Sequence, residues 1–595
     1  MNIWLLTSEF PPDFGGGIST YCLETAQMFS SYGHTITVIT QDFHVNELTI
    51  AQKDSYRVIR FNPSKYYTAS FLGYEANLSY AFSQVVKELV VKEGIPDIIE
   101  SQEYMGIAYY LLQYKWLQYP VFKDLKVVIT LHAPSFLYLE YNKVPFNQLP
   151  YFWVGEMERF CIRSADLIIS PSKYLVGQLE GRVKADDLTI HVLKNPYKHV
   201  EKYEKKDIIK NNIVFFGKLT PQKGCLELIR YFKQLWREGF EYSLTMIGGG
   251  NHLYHPEGID MIDFIKKQCD EEIKTGKLIL LGSIAPQNID KHVADAHIII
   301  IPSIVDNLPY TVPEVMSRSK VVLASIQGGQ SEIIENGEDG FLFDHSVPDS
   351  FKDQIRHIMS LPDESLQEIG QKAFLKIQKD FDYENIYNKK NQLLKGLINT
   401  THTSNQFPFI QPTPASMGLP ADSHDDDELL SVVVPYYNMG KYIDETLRSI
   451  TRSTYKKLEI IIVNDGSTGN ENIDALNNAA KNYSARVINK INEGLPLARN
   501  IGAKEAKGKY LAFLDPDDTI DTTYYEKAIT VLKKNANIYF VGCWAKYFGD
   551  TNGYWPTFNP EPPYLLVHNM INSSALVYKK NAFINSGLND PKMIF

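Results

Sequence analysis

The sequence predicts an α/β protein with two doubly wound parallel-sheet units in tandem and a third α/β unit behind them. Three observations carry this. Short β-branched runs alternate with amphipathic stretches from residue 1 to about 400, as expected of parallel sheets covered by helices. The pattern lapses between Thr400 and Glu428, then resumes at Leu429. A chain of 595 residues is also too long for one core.

In the first unit the predicted strands are Ile3 to Leu6, Thr35 to Ile39, Val127 to Leu131 and Leu167 to Ile169. In the second they are Asn212 to Phe216, Leu244 to Ile247, Leu278 to Leu281 and Ile298 to Ile301. The intervening stretch TTHTSNQFPFIQPTPASMGLPADSHDDDE is rich in Pro, Ser, Thr and Asp, the composition of a linker. The third unit opens with LLSVVVPYYN, followed by a helix from about Tyr442 to Ile450 and a buried strand LEIIIVNDGST. The expected domains are therefore 1–200, 201–398, a linker at 399–428, and 429–595.

Composition excludes several classes. Hydrophobic residues at 44% and charged residues at 22% are those of ordinary globular protein. No uninterrupted apolar run is long enough to cross a bilayer. The start MNIWLLTSEFPP lacks a basic region and reads as a strand entering a loop, so secretion is not expected. Five cysteines, Cys22, Cys161, Cys225, Cys269 and Cys543, lie far apart at no metal-ligand spacing and suit buried positions in a reducing cytoplasm. A formal net charge of -10 disfavours broad attachment to nucleic acid or anionic lipid. Phosphate must then be gripped locally.

The first candidate grip is Pro11-Pro12-Asp13-Phe14-Gly15-Gly16-Gly17, placed between the opening strand and a helix whose buried face is Ile18, Cys22, Ala26 and Phe29, closed by Gly33. Glycines there let backbone approach a ligand, and a helix N-terminus favours anions; a flexible turn is the plain alternative. In the second unit, the strand NIVFFG ends at Gly217-Lys218, and Thr220-Pro221-Gln222-Lys223-Gly224 opens a helix. A lone lysine is ordinarily a solvated surface charge, yet two at the carboxyl edge of a parallel sheet could neutralise a departing diphosphate. The strand HIIIIPS then delivers Asp306-Asn307-Leu308-Pro309-Tyr310-Thr311-Val312-Pro313-Glu314, with carboxylates eight positions apart.

That spacing resembles the E-x7-E signature of retaining family-four glycosyltransferases, and the following EVMSRSKVVLASIQGGQSEIIENGEDGFLF matches their donor-binding segment. The glycine loop, the G-K-L-x-x-x-K-G segment and His132, ending the VVITLH strand, also fall where that family has them. The resemblance covers residues 1 to about 395 and implies a GT-B pair of Rossmann-like domains. It implies that Lys218 and Lys223 hold the diphosphate, that Glu314 binds the ribose and that His132 lies near the transferred sugar. The residues expected to act in catalysis are His132, Asp306, Lys218 and Lys223; those expected to bind donor are Gly15, Gly16, Gly17, Asn307, Leu308 and Glu314. Two departures stand out: Asp306 replaces the usual Glu, and Lys218 an Arg, which keeps charge but loses the bidentate fork. No metal is expected in this part, and no protein nucleophile is assigned.

In the third unit the strand KYLAFL runs into Asp515-Pro516-Asp517-Asp518. Carboxylates so close repel unless a cation intervenes, and hard oxygens suit magnesium or manganese; an Asp-rich helix cap is the plain alternative. Together with Pro435-Tyr436-Tyr437-Asn438, Asn464-Asp465-Gly466-Ser467 and Ala498-Arg499-Asn500, the cluster resembles inverting family-two glycosyltransferases from Leu429 to the end. The resemblance implies a partial GT-A nucleotide-binding domain in which Pro435, Tyr437, Asp465, Arg499 and Asp515 bind donor. Asp515 and Asp517 would hold Mg2+ or Mn2+. That family takes its general base from an acidic pair downstream of this point. Asp590 matches a loop acid before the pair, so the expectation is a domain that binds a nucleotide sugar but transfers poorly.

The expected function is transfer from UDP- or GDP-sugar donors to a glycan or lipid-linked oligosaccharide in polysaccharide biosynthesis. It would proceed in the cytoplasm, with room for peripheral contact with a membrane-bound acceptor on the inner membrane face and no nucleic-acid partner. The alternatives are an epimerase-like GT-B enzyme acting on nucleotide sugars and a GT-A part serving only as a binding scaffold.

Overall fold

The structure is a computed structural model that describes residues 1–12, 16–53, 55–66, 73–145, 148, 150–183, 188–198, 212–284, 292–400, 407, 428–557, 571 and 573–592. The chain divides into two compact units, Met1–Lys115 with Pro120–Thr401, and Trp116–Tyr119 with His402–Phe595.

The first unit holds two sheets. One contains β1 (Asn2–Thr7), β2 (Thr35–Gln41), β3 (Thr49–Gln52), β4 (Arg57–Phe61), β5 (Ile98–Gln102), β6 (Val127–Thr130), β7 (Leu167–Ser170) and β8 (Ile190–Val192), in the order β3-β4-β2-β1-β5-β6-β7-β8. Every pairing is parallel except β3 with β4. The predicted strands are all present; β3, β4, β5 and β8 are additional. β5 was hidden because its sequence, IIESQ, carries polar residues at positions that are nonetheless buried.

The second sheet contains β9 (Ile213–Phe216), β10 (Leu244–Ile247), β13 (Leu278–Gly282), β14 (Ile298–Ile301), β15 (Val322–Ser325) and β16 (Phe341–Phe343), ordered β13-β10-β9-β14-β15-β16. A small ribbon, β11 (Leu253–Tyr254) with β12 (Ile259–Asp260), stands apart from it. Apolar runs such as Ile298–Ile301 are buried throughout, as expected when helices cover both faces of a parallel sheet.

The helix Gly17–Ser31 buries Ile18, Cys22, Ala26 and Phe29 as its periodicity requires, and Gly33 closes it in a left-handed conformation (φ 81°). The helix Tyr383–Ile398 ends the unit; it buries Lys390 and packs Ile386, Leu394 and Leu397 into the same apolar cluster as Ile3 and Phe29 of the first lobe.

The second unit holds β17 (Leu430–Tyr436), β18 (Leu458–Asp465), β19 (Arg486–Lys490), β20 (Tyr510–Phe513), β21 (Phe540–Val541) and β24 (Val577–Lys579), ordered β19-β18-β17-β20-β24-β21. β24 pairs antiparallel with both neighbours. A hairpin of β22 (Ala545–Tyr547) and β23 (Gly553–Trp555) accompanies it. The five cysteines are free; Cys22, Cys161, Cys225 and Cys269 are buried and Cys543 is half-buried. Among the described residues no helix is long and apolar enough to cross a membrane.

Candidate functional site

In a doubly wound sheet the connections of two adjacent strands diverge at a switch point, leaving a crevice beyond their carboxyl ends. The switch points here lie between β1 and β5, β9 and β14, and β17 and β20. Most of the described residues singled out in the sequence lie near the carboxyl ends of strands in these three sheets.

At the second sheet, β9 delivers Lys218 and Lys223, and β14 delivers Asp306, Asn307 and Leu308. Lys223 forms an ion pair with Asp306. The same carboxylate accepts from Ser303 Oγ at 3.0 Å and from the Asn307 N–H at 3.1 Å. Gly224 makes this junction possible: its φ is 72°, and a Cβ there would lie 1.8 Å from the Pro302 carbonyl oxygen. Lys218 is exposed, and its Nζ lies 3.5 Å from where a Gly16 Cβ would stand, so the glycine loop is open to its ammonium. Gly17 begins the helix that follows; Gly15 lies outside the described residues. Glu314 sits half-buried in the first turn of the helix Thr311–Met316, and Leu308 is buried. Asn307 is buried and its side-chain amide is engaged, accepting from Ser172 Oγ at 2.6 Å and donating to the Leu131 carbonyl at 3.0 Å.

At the first sheet, His132 follows β6. Its ring meets Tyr21 edge-on, with centroids 4.5 Å apart. Burial pushes its pKa down to about 3, so the imidazole is neutral at pH 7. Its Nε2 is buried with no hydrogen-bond partner among the described residues. Beneath Tyr21, the Lys390 ammonium donates to Tyr21 Oη at 2.6 Å and to Glu100 Oε1 at 2.8 Å, while Thr130 Oγ1 donates to the same Glu100 oxygen at 2.8 Å. Two further carboxyls lie at this edge. Glu103 accepts from the His132 and Ala133 N–H groups, and Glu158 accepts from Met105 N–H at 3.0 Å and Phe136 N–H at 3.3 Å. Burial pushes Glu103 up to about 7 and Glu158 up to about 8. The sequence reading missed Glu100, Glu103, Glu158 and Lys390. The available signal was Glu100 inside an apolar strand, since an acid there is buried only with a partner.

At the third sheet, Pro435 is buried in β17 and Tyr437 is exposed just beyond it. The Asn438 N–H donates to Ser467 Oγ at 3.0 Å, and the Thr468 N–H donates to Asn438 Oδ1 at 2.8 Å, stitching the loops after β17 and β18. Asp465 pairs with Lys490 and accepts from the Glu493 and Gly494 N–H groups at 3.0 and 2.9 Å. Burial works to raise that carboxyl, but the Lys490 ammonium and the amides outweigh it and hold it below the usual range. Arg499 donates to Asp515 Oδ1 at 2.6 Å. Asp517 is exposed. Asp518 is pushed up by burial and by the nearby charges of Asp515 and Asp517, the crowding the sequence implied. Among the described residues no group of three His, Cys, Asp or Glu side chains is arranged to hold a metal ion.

Family models match along most of this architecture. Residues 15–199 match Glycosyltransferase Family 4, residues 199–376 match Glycosyl transferases group 1, and residues 431–585 match Glycosyl transferase family 2. These are glycosyltransferase domains. The front pair has the GT-B fold and the third belongs to the GT-A family. Among curated relatives, the uncharacterized glycosyltransferase EpsJ of Bacillus subtilis (strain 168) is 36% identical over 129 residues, 22% of this chain and 37% of its own length. The uncharacterized glycosyltransferase YibD of Escherichia coli (strain K12) is 42% identical over 103 residues, 17% of this chain and 30% of its own. The chain thus spans about a third of the length of these relatives. Among solved structures, sucrose-phosphate synthase from Thermosynechococcus elongatus is similar with a TM-score of 0.54 at 17% identity, covering 67% of this chain and 99% of that one. The catalytic domain of starch synthase IV from Arabidopsis thaliana, bound to ADP and acarbose, gives 0.51 at 15% identity over 67% and 99%. Both likenesses concern the fold.

Proposed function

We propose that the chain transfers sugar from a UDP- or GDP-sugar to a glycan or lipid-linked acceptor, through a retaining site in the GT-B domains. The GT-A domain is a second nucleotide-sugar site of inverting type. The observation that carries the reading is the ion pair of Lys223 with Asp306 beyond the strands that flank the switch point of the second sheet, with Lys218 exposed just after β9. When a nucleoside diphosphate departs, negative charge builds on the phosphate and positive character on the sugar. Lys218 and Lys223 answer the first, and donor phosphate would compete with Asp306 for the Lys223 ammonium. Glu314, in the first turn of its helix, is the candidate acceptor for ribose hydroxyls. The neutral imidazole of His132 is a hydrogen-bonding group for the sugar rather than a proton store.

In the GT-A domain, Asp515 and Asp517 supply hard oxygen donors next to Asp518, whose carboxyl is pushed up by burial and by their charges, and Arg499 already pairs with Asp515. They would hold Mg2+ or Mn2+ against the diphosphate. Bound there, the cation acts as a Lewis acid on the leaving group. Asp465 closes the loop before the helix Leu495–Glu505, which carries Arg499 beside the same carboxylates.

Radiolabelled UDP- and GDP-sugars, offered with and without EDTA, test the front site. Nucleotide release should survive chelation and fall sharply in Lys223→Ala; full release in that variant removes the assignment. Titration with UDP and manganese tests the rear site, where unchanged affinity in Asp517→Ala would remove the cation from the reading.

A further inference from the structure

We infer that Glu103 is a positioning residue for the His132 imidazole, an inference that rests on the proposal that His132 addresses the sugar. β5 and β6 are parallel neighbours, with Gln102 opposite Thr130, so Glu103 leaves the sheet level with Leu131, one residue before His132. The Glu103 carboxylate is completely buried, and the His132 N–H lies 2.8 Å from both of its oxygens. Oε1 also accepts the Ala133 N–H at 2.6 Å. One side chain thereby fixes two consecutive peptide groups at the point where the chain turns off the strand. That turn sets where the ring of His132 stands.

Three features point to a purpose beyond packing. First, among the described residues Glu103 has no ion-pair partner, and a buried carboxylate without a cation is a poor way to stabilise a fold. Second, the loop it begins is unfavourable in its own right. Met105 adopts φ 61° without being glycine, and its N–H is held by Glu158, a second buried acid. Non-glycine residues in that region cluster at functional sites, where the surroundings over-determine them. Third, His132 Nε2 is the atom left without a partner, while the backbone of the same residue is doubly bonded. The backbone is clamped and the ring tip remains for a ligand.

Glutamine in place of Glu103 keeps the shape but turns an NH2 group toward N–H donors: at the Oε2 position it takes one of the two acceptors of the His132 N–H, and at the Oε1 position it takes the acceptor of the Ala133 N–H as well. It also removes an ionisable group whose charged form burial disfavours. A residue that serves only the fold would lose stability and activity together. Glu103→Gln should instead keep or raise the melting temperature while kcat for nucleotide release falls about ten-fold or more and KM for the donor stays within about two-fold. The probe is UDP-glucose, or GDP-mannose if only that donor is turned over. In protein labelled with 15N-histidine, the His132 ring resonances should shift in the variant. A wild-type kcat, or a parallel loss of kcat, KM and melting temperature, overturns the inference. If Glu103→Gln does not fold, Glu103→Asp decides, because its carboxylate is one methylene short: reduced kcat at unchanged KM supports the inference, and unchanged kcat overturns it. His132→Ala separates this from the parent reading. If that variant keeps full activity, the role of His132 itself fails; if it is inactive while Glu103→Gln is normal, only the positioning role fails.

Discussion

Lys223 is paired with Asp306, whereas Lys218, five positions earlier, is exposed beside the glycine loop, so the two should respond differently to removal. Lys223→Ala leaves Asp306 without its cation and, on the proposed function, takes a positive charge from the leaving group. Loss of one such group costs about 100- to 1000-fold in kcat. Lys218→Ala should raise the donor KM more than it lowers kcat, because an exposed ammonium is screened by water; steady-state kinetics on both variants decides this. His132 offers a second residue-scale prediction. With its pKa pushed down to about 3, it does not titrate near neutrality. The rate between pH 5 and 8 should therefore carry no histidine inflection that His132→Gln removes, and its ring nitrogens should resonate as a neutral imidazole throughout. Both lysines were legible in the sequence because they follow a strand that is apolar throughout. Asp306 as the partner of Lys223 was not, since 83 positions separate them.

The helix Tyr383–Ile398 shows what an element's own periodicity leaves open. Lys390 lies on the face it shares with Ile386, Leu394 and Leu397, and folding buries it against Glu100, 290 positions away. Removing one partner of a buried pair strands the other, at a cost of about 3–5 kcal/mol. Lys390→Met should lower the denaturation midpoint accordingly, and adding Glu100→Gln should restore part of the loss. The helix Tyr151–Ser164 contributes Glu158, which ties the loop after β5 to the helix Ser135–Tyr141. Its folded pKa, pushed up by burial to about 8, exceeds the value of about 4.3 in an unfolded chain. The folded state therefore holds its proton longer as pH rises. The stability linked to this group is full below about 4.3 and is lost by about 8. Glu158→Gln should flatten that decline, which thermal unfolding followed from pH 5 to 8 will show.

At the scale of the molecule, the proposed function gives the two sets of domains separate means of neutralising a diphosphate, lysines in one and aspartates with a cation in the other. Independence follows as a prediction. Lys223→Ala should abolish front-site nucleotide release yet leave manganese-dependent UDP binding unchanged, and Asp517→Ala should do the reverse; calorimetry and release assays on the full chain read both. The strands β1, β2, β6, β7, β9, β10, β13 and β14 were visible in advance because parallel strands covered on both faces are written as apolar runs, whereas β5, with its buried polar residues, and the outer strands β3, β4 and β8 were not. So the sequence by itself determined three α/β units in order and most of their apolar strands. The tertiary structure alone decided that Lys223 meets Asp306, that Asn307 turns its amide to Ser172 and Leu131, and that Glu103 holds the backbone of His132. Periodicity records which face of an element is buried, whereas pairing between distant residues depends on where strands and helices come to lie after folding, which no local pattern encodes.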